Sequence, residues 1–329
     1  MKGRLSMIGC MVAAAVAVPV MSAPANAQVK VDPNLPQYKA VPGVSGILKS
    51  IGSDTMNNEM TYWGEGFHKF YPNIQVEIEG KGSVTAPPAL ISGTAHFGPM
   101  SRKMNDAEID AFKKKYGYAP VELTTSIDML AVYVHKDNPI KGLTLQQVDA
   151  IFSRTRKGGY PKQIKTWGDL GLQGEWTNKS IALFGRNSAS GTYGYFREHV
   201  LFKGDYLDDV KEQPGSSAVV QGVTADKYAM GYSGYGYKTA DVRAVPLAHD
   251  AKSEFVPAEA KRAYAGEYPL SRRLFIYVNY QPGTALDPLR REFVRYVYSQ
   301  QGQLDVVKTG YLPIGEKIAV KGLASVGLK

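Results

Sequence analysis

The sequence predicts an α/β protein built as two domains of ordinary size. Two observations lead to this prediction. Strand patterns and helix patterns alternate from residue 46 onward, and Ser- and Thr-rich segments recur where a strand pattern gives way to a helix pattern. Alternating strands and helices fold into sheets that are covered on both faces. The chain without its first 27 residues has about 300 residues, more than one domain of ordinary size.

The N-terminus has the features of a secretory signal peptide. Lys2 and Arg4 precede an apolar, alanine-rich stretch from Met11 to Met21, and Ala25-Asn26-Ala27 supplies a cleavage site. We expect cleavage near Ala27 and a protein that is periplasmic or secreted. Cys10, the only cysteine, also allows a lipoprotein cleavage, which the sequence favours less. After either cleavage, we expect no disulfide and no thiol chemistry in the rest of the chain.

The charge balance is moderately basic. Lys and Arg number 39 against 30 Asp and Glu, a formal net charge of +9, or +7 without Lys2 and Arg4. The basic residues are dispersed, and no basic run is typical of nucleic-acid binding, so we expect no nucleic-acid partner. A positive surface instead raises the concentration of small anions near a cleft. No cluster of His, Asp and Glu has metal-ligand spacing, so we expect no metal and no cofactor.

The first half of the alternation begins with a short strand at 47–51. A helix follows, because Met56, Met60, Trp63 and Phe67 recur at helical spacing and 71–72 ends the pattern. Residues 74–78 alternate apolar and polar as a strand does, and the prolines at 87 and 88 suit a first helical turn. A short strand at 96–98 precedes a helix that Asn105 and Glu108 open with capping-box spacing.

The second half repeats the alternation. Residues 129–135 form a strongly apolar strand, and Thr144 and Gln147 have capping-box spacing before a helix. A buried strand at 180–184 precedes an amphipathic helix at 193–200. Later segments are predicted as strands at 228–232 and 273–280 and as a helix at 287–301. Residues 28–45 are expected to form an irregular leader, and 317–329 a loosely held tail.

Hydroxyl-bearing residues follow four of the predicted strands. They are Ser53-Asp54-Thr55, Gly82-Ser83, Ser101-Arg102 and Ser190-Gly191-Thr192, the last preceded by Arg186. Each segment alone suits an ordinary helix N-cap. Open α/β sheets, however, bind ligands beyond the carboxyl ends of their strands, where helix N-termini favour anions. Because arginine can add a bidentate bond to an oxyanion, the sequence predicts convergent donors around one tetrahedral anion.

These segments also occur in an order that resembles a known family. The markers are Gly52-Ser53-Asp54-Thr55-Met56, Gly82-Ser83, Ala86 to Leu90, Phe97 to Arg102, Ala131 to Pro139, Gly185 to Thr192 and Gly231 to Gly234. Over residues 47–314 the chain resembles the periplasmic phosphate-binding proteins of bacterial phosphate ABC transporters. The resemblance implies a two-lobe periplasmic binding protein fold of type II, with the ligand in the cleft between lobes joined by crossover strands.

The resemblance further implies the partners and the lobe boundaries. The partners are inorganic phosphate and a membrane ABC permease, and the protein itself is expected to be a monomer that performs no chemistry. Lobe I is expected to comprise 46–130 and 275–316, and lobe II 131–274.

The family's phosphate-binding positions correspond to specific residues of this chain. Those in lobe I are Asp54, Thr55 and Ser83, and those in lobe II are Arg186, Ser190, Gly191 and Thr192.

Two positions of this sequence depart from the family pattern. Ser101 occupies the position of the aspartate that accepts the proton of phosphate, so we expect either Asp54 or Asp128 to read that proton. Asp128 opens the predicted strand and equally suits a structural cap. Ser188 replaces the aspartate that orients the family arginine, so Arg186 is expected to have another partner.

Three alternative functions stay open at this point. An exported phosphatase or esterase would use Ser190 or Ser83 as nucleophile, although no histidine lies in a triad-like motif. A surface adhesion protein would use the aromatic stretch formed by Tyr228, Tyr232, Tyr235 and Tyr237. A binding protein for another tetrahedral oxyanion, such as sulfate, would keep the fold and the donors.

Overall fold

The structure is a computed structural model that describes residues 29–328. The expected signal peptide, its cleavage after Ala27 and Cys10 lie outside the described residues. None of the helices within residues 29–328 combines the length and the apolar character that a membrane span requires. Residues 29–45 contain no helix or strand, yet Leu35 and Tyr38 are buried against the core.

Strands and helices alternate along the described chain. The strands are β1 (Gly46–Ile51), β2 (Ile74–Glu79), β3 (Phe97–Met100), β4 (Val121–His135), β5 (Leu143–Thr144), β6 (Ala182–Arg186), β7 (Lys211–Gln213), β8 (Ala229–Gly234), β9 (Val242–Ala244), β10 (Leu247–Ala248), β11 (Ser271–Val278) and β12 (Leu312–Pro313). The α-helices are α1 (Asn57–Phe70), α2 (Ala86–Ser92), α3 (Asp106–Tyr116), α4 (Leu145–Phe152), α5 (Gly191–His199), α6 (Ser216–Ala225), α7 (Ala260–Tyr264), α8 (Pro288–Val297), α9 (Gln300–Lys308) and α10 (Glu316–Ser325).

Most of the strands join one curled, mixed sheet. Its order is β2-β1-β3-β11-β4-β8-β6-β7, and β9 and β12 pair separately with β4, whereas β5 and β10 form a small parallel pair. The α/β class predicted from the alternation is therefore confirmed. At one end β1 runs parallel to β2 and β3, and at the other β6 runs parallel to β7 and β8. Each parallel group places the carboxyl ends of its strands along one edge.

The long strand β4 lies between the two parallel groups and pairs antiparallel with β11 and with β8. Its first part, up to Met129, pairs with β11, and from Leu130 it pairs with β8. Two large apolar clusters lie on either side of this change of partner. We propose to divide the molecule at this change of partner, into lobe I at 46–130 and 275–316 and lobe II at 131–274.

Local sequence signals predicted several elements well. The side chains of Met56, Met60, Trp63 and Phe67 are at most 1% exposed. Met56 is the N-cap of α1, and the other three lie along its buried face. Asn105 and Glu108 form the expected capping box of α3, and Thr144 and Gln147 form that of α4. These signals are reliable because their hydrogen bonds join residues only three positions apart.

Two predicted segments at the C-terminal end are corrected by the structure. The single helix predicted at 287–301 is two helices, because Ser299 caps α9 by accepting from the backbone N–H of Gly302 at 3.2 Å. The loose tail predicted at 317–329 is largely helix α10, whose Ala319 and Leu323 are buried. Gly322 of α10 packs directly against the ring of Tyr298, a contact that no local sequence pattern announces.

Candidate functional site

The four hydroxyl-bearing segments meet at the edge where the parallel strands end. Those after β1, β2 and β3 come from lobe I, and the N-terminus of α5, after β6, faces them from lobe II. The hydroxyl side chains of the cluster are at most 3% exposed, and they are Ser53, Thr55, Ser83, Ser101, Ser190 and Thr192. Six hydroxyls so completely removed from water form a polar interior between the lobes.

Three serines of lobe I are linked to one another. Ser53 Oγ donates to Ser101 Oγ at 3.1 Å, and Ser83 Oγ lies 3.3 Å from Ser101 Oγ. The backbone N–H of Ser101 donates to Ser83 Oγ at 3.1 Å. Ser101, the residue in the position of the family aspartate, therefore lies inside the cluster and is connected to both neighbouring segments.

Direct contacts join the two lobes across the cluster. Thr55 Oγ1 and Thr192 Oγ1 are 2.9 Å apart, and the N–H of Val84 donates to the carbonyl of Ala189 at 3.3 Å. Gly191 packs so closely against lobe I that a Cβ atom there would lie 2.7 Å from Ser101 Oγ. The described conformation is thus a closed one.

Arg186, the last residue of β6, is 1% exposed and enters the cluster from lobe II. Its Nη2 lies 3.0 Å from Asp54 Oδ1 and donates to the carbonyl of Pro214 at 3.0 Å, and its Nη1 donates to Ser216 Oγ at 2.7 Å. Burial lowers the pKa of Arg186, and the Asp54 carboxylate opposes that shift. Nε of Arg186 is buried and has no acceptor among the described residues.

Asp54 is the partner that orients Arg186. Its Oδ1 also accepts from the backbone N–H of Ser216 at 2.7 Å and from Ser216 Oγ at 2.8 Å. Ser188, which replaces the orienting aspartate of the family, is exposed. The expectation that Arg186 has a different partner is met by a carboxylate from the opposite lobe.

Asp128 has a different environment from the one expected. It lies in the middle of β4 and does not open or cap the strand. Its Oδ2 accepts two hydrogen bonds from Arg272 on β11, from Nε at 2.9 Å and from Nη2 at 2.8 Å, and its Oδ1 accepts from the N–H of Tyr235 at 3.0 Å. The interpretation of Asp128 as a strand-opening cap is therefore wrong, and Asp128 forms a buried ion pair between the two crossover strands.

Two residues of the site were missed by the sequence reasoning. Arg272 donates to Thr192 Oγ1 at 2.9 Å and to the carbonyl of Ser101 at 3.2 Å. Ser216 begins α6 and bonds both Arg186 and Asp54. The signals were weak, because Arg272 stands at the polar start of an apolar strand and Ser216 follows Pro214-Gly215 as an ordinary turn would.

The tyrosines of the predicted aromatic surface support the site from within. Tyr232 is fully buried, stacks on Phe196 with ring centroids 3.8 Å apart, and its hydroxyl accepts from the N–H of Arg186 at 3.2 Å. Tyr237 Oη donates to the carbonyl of Asp54 at 2.7 Å. Tyr228 and Tyr235 are half-buried.

A buried acid lies beneath the cluster. Glu59, in the first turn of α1, is 0% exposed, and neither carboxyl oxygen has a hydrogen-bond partner among the described residues. Burial raises the pKa of Glu59 to about 8, the Asp128 carboxylate adds to the rise, and the hydroxyl of Ser126 nearby opposes it. Glu59 is therefore held as a neutral acid at pH 7.

We expect Glu59→Gln to change the pH dependence of stability. Between pH 4.5, near the carboxyl pKa of an unfolded chain, and pH 8, the folded protein binds one more proton than the unfolded chain. Its free energy of unfolding therefore falls as the pH rises, by up to about 1.4 kcal/mol per pH unit. Urea unfolding at pH 5, 6.5 and 8 measures this effect: the free energy of unfolding of the variant, relative to that of the wild type, should increase at each step. Parallel pH dependences of the two proteins would contradict this assignment.

A cavity of about 650 Å³ lies between the lobes beside the cluster. Ser101 and Arg272 line it on the side of the cluster, and Arg102, Lys103 and Arg273 line it elsewhere. Glu198 also lines the cavity, and Arg102 and Lys103 pair with Glu108 and Glu122, so the cavity wall carries charges of both signs.

Comparisons with known proteins agree with this architecture. Residues 38–301 match the model of the PBP superfamily domain. The phosphate-binding protein PstS of Pseudomonas aeruginosa is 54% identical over 304 residues, covering 92% of this chain and 94% of that protein.

Solved structures show the same fold. A Clostridium perfringens protein, assigned as a phosphate ABC transporter substrate-binding protein and solved with bound phosphate, superposes with a TM-score of 0.69. It is 25% identical and the match covers 83% of this chain and all of that one. An ABC-type phosphate transport receptor from Vibrio cholerae, at 23% identity, covers 82% of this chain and 100% of that one with a TM-score of 0.60 and supports the fold alone. The chain belongs to the PBP superfamily and, within it, to the family of the phosphate-binding protein PstS.

Proposed function

We propose that the protein captures inorganic phosphate between its two lobes and delivers it to an ABC-type permease. The observation that carries the proposal is the N–H group at Nε of Arg186. This group is buried beside the cluster of hydroxyl side chains and has no hydrogen-bond acceptor among the described residues. A buried donor without an acceptor is costly, and a bound anion would supply the acceptor.

The surroundings of Arg186 favour a tetrahedral oxyanion. The N-terminus of α5 at Ser190, Gly191 and Thr192 contributes the positive end of a helix dipole. The N–H groups of Ser190 and Thr192 already donate to the carbonyl of Asn187 and to Ser190 Oγ. Thr55 and Ser83 add hydroxyls from the opposite side, so the donors would surround an anion instead of approaching it from one direction. Ser101 joins the same network.

The relatives support phosphate as the anion. The Pseudomonas aeruginosa relative is named a phosphate-binding protein, and the Clostridium perfringens structure contains phosphate. We extend that ligand to this chain. We also propose export to the periplasm through the segment before Gln28, action as a monomer and the absence of chemistry.

Of Asp54 and Asp128, we propose that Asp54 is the carboxylate that accepts a hydrogen bond from the proton of phosphate. Both oxygens of Asp128 already accept hydrogen bonds, from Arg272 and from Tyr235. Asp54 uses Oδ1 for Arg186 and Ser216, whereas its Oδ2 accepts no hydrogen bond within the described residues. A carboxylate oxygen with free lone pairs favours an anion that carries a proton and penalises one without it.

The geometry gives less support to an esterase or phosphatase. Ser190 Oγ accepts from the N–H of Thr192 at 3.1 Å as a helix cap, and Ser83 Oγ accepts from the N–H of Ser101. Within residues 29–328, neither hydroxyl forms a hydrogen bond with a histidine, the base that a nucleophilic serine most often uses.

The proposal is tested by calorimetric titration of phosphate-stripped protein with phosphate and with sulfate at pH 6 and pH 8. We expect tight binding of phosphate at both pH values and no measurable binding of sulfate, because sulfate has no proton to donate to Asp54. Preferential binding of sulfate would overturn the choice of ligand, and turnover of a chromogenic phosphate ester would overturn the assignment as a receptor without chemistry.

A further inference from the structure

Arg272 connects the crossover strands to the hydroxyl cluster, although it does not follow one of the strands that carry the cluster. It is 5% exposed, and the ring of Tyr195 covers its guanidinium, with 5.2 Å between the guanidinium carbon and the ring centroid. Its hydrogen bonds run to Asp128, to the carbonyl of Ser101 and to Thr192 Oγ1. A guanidinium carries only N–H groups, so Arg272 is the donor in every one of these bonds.

This donation restricts the two threonines that meet across the lobes. Thr192 Oγ1 accepts from Arg272 Nη2 at 2.9 Å and lies 2.9 Å from Thr55 Oγ1. Each hydroxyl has one hydrogen, and the hydrogen of Thr192 cannot point back at a guanidinium N–H. One hydrogen is used between the two threonines, whichever of them donates it. The other hydrogen has no acceptor among the described residues and is therefore available to a bound anion.

The ion pair with Asp128 keeps Arg272 in place for this task. Asp128 Oδ2 accepts from both Nε and Nη2 of Arg272. Both residues lie on crossover strands that are directly paired at this position. A fork that is held on one side by a carboxylate has little freedom to turn away from Thr192.

We propose that Arg272 is a positioning residue for anion binding, which acts through Thr192 to make the pair Thr55 and Thr192 a hydrogen donor toward the bound oxyanion. The inference rests on the proposed function, because it concerns how the same site treats phosphate. In this proposal Asp128 holds Arg272 in place, and Asp54 accepts the hydrogen bond from the proton of phosphate. In a chain of hydrogen bonds that starts at a cation, each hydroxyl also becomes a stronger donor.

A double-mutant cycle tests the inference, with inorganic phosphate as the titrant at pH 7. Arg272→Gln alone would leave the Asp128 carboxylate buried without a cation, so the Arg272 arm of the cycle is the neutral pair Arg272→Gln with Asp128→Asn. The Thr192 arm is Thr192→Val, which keeps the shape of the side chain and removes the hydroxyl. The cycle is completed by the triple variant.

We expect each arm to weaken phosphate binding by roughly ten- to a hundredfold. The neutral-pair variant and Thr192→Val interrupt the same chain of hydrogen bonds. The triple variant should therefore bind phosphate no more weakly than whichever of these two variants binds it less tightly. Thr192→Ser, which keeps the hydroxyl, should lose less affinity than Thr192→Val.

Multiplication of the two effects in the triple variant would overturn the inference, as would a neutral-pair variant that binds like the wild type. Thermal unfolding of each variant checks that it is folded. If the neutral pair does not fold, Arg272→Lys, which keeps the charge and loses the fork, replaces it in the cycle, and multiplication of its effect with that of Thr192→Val would still overturn the inference. Failure of the wild type to bind phosphate would instead overturn the proposed function, so the two failures are distinguishable.

Discussion

Replacing Arg186 with alanine should remove most of the affinity for phosphate. The variant would lose a guanidinium that is 1% exposed and would leave both a buried anion and the Asp54 carboxylate without their cation. Truncating one partner of a buried, hydrogen-bonded charge pair costs about 2–5 kcal/mol, a weakening of roughly thirtyfold to several thousandfold. Calorimetric titration with phosphate at pH 7 measures the loss.

Arg197→Ala is the matched control for this variant. Arg197 lies on α5 in the same lobe, but it is about half exposed and pairs with Asp205 at the surface. Exposed ion pairs contribute little, so we expect phosphate binding to stay within about twofold of the wild type. If folded Arg186→Ala protein binds phosphate as tightly as the wild type, the anion does not occupy this cluster.

Replacing Gly191 with alanine should prevent the lobes from closing as they do in this structure. The added Cβ would collide with Ser83 Oγ and would lie 2.9 Å from Ser83 Cβ and 2.7 Å from Ser101 Oγ. Since Ser83 Cβ is attached to the backbone, rotating that side chain does not relieve the contact. Overpacking of this kind costs about 1–3 kcal/mol, which corresponds to roughly five- to 150-fold weaker binding.

Small-angle X-ray scattering measures closure directly. The wild type should become more compact when phosphate is added, and Gly191→Ala should change less or not at all. Gly194→Ala is the control, because it makes the same change one turn further along α5, where the new Cβ would lie 3.5 Å from the Arg102 side chain, an ordinary contact. Full closure and normal affinity in Gly191→Ala would show that the ligand-bound cleft is wider than the described one.

The sequence predicted the elements whose signals are local. The periodic face of α1 and the capping boxes of α3 and α4 depend on residues that are neighbours along the chain, and the structure contains all three. The α/β class followed from the alternation of such segments. Helix α10 was missed for the complementary reason, because its burial depends on distant residues such as Tyr298.

The candidate site divides in the same way. Sequence patterns were enough to predict the α/β class and the family. They also pointed to Thr55, Ser83, Arg186 and the Ser190 segment, because parallel strands bring the residues that follow them to one edge. The three-dimensional arrangement was needed to see that Asp54 orients Arg186 from the opposite lobe and that Asp128 is held by Arg272. Those pairings join positions 132 and 144 residues apart, one across the closed lobes and one between paired strands, and no local pattern encodes which carboxylate reaches which guanidinium.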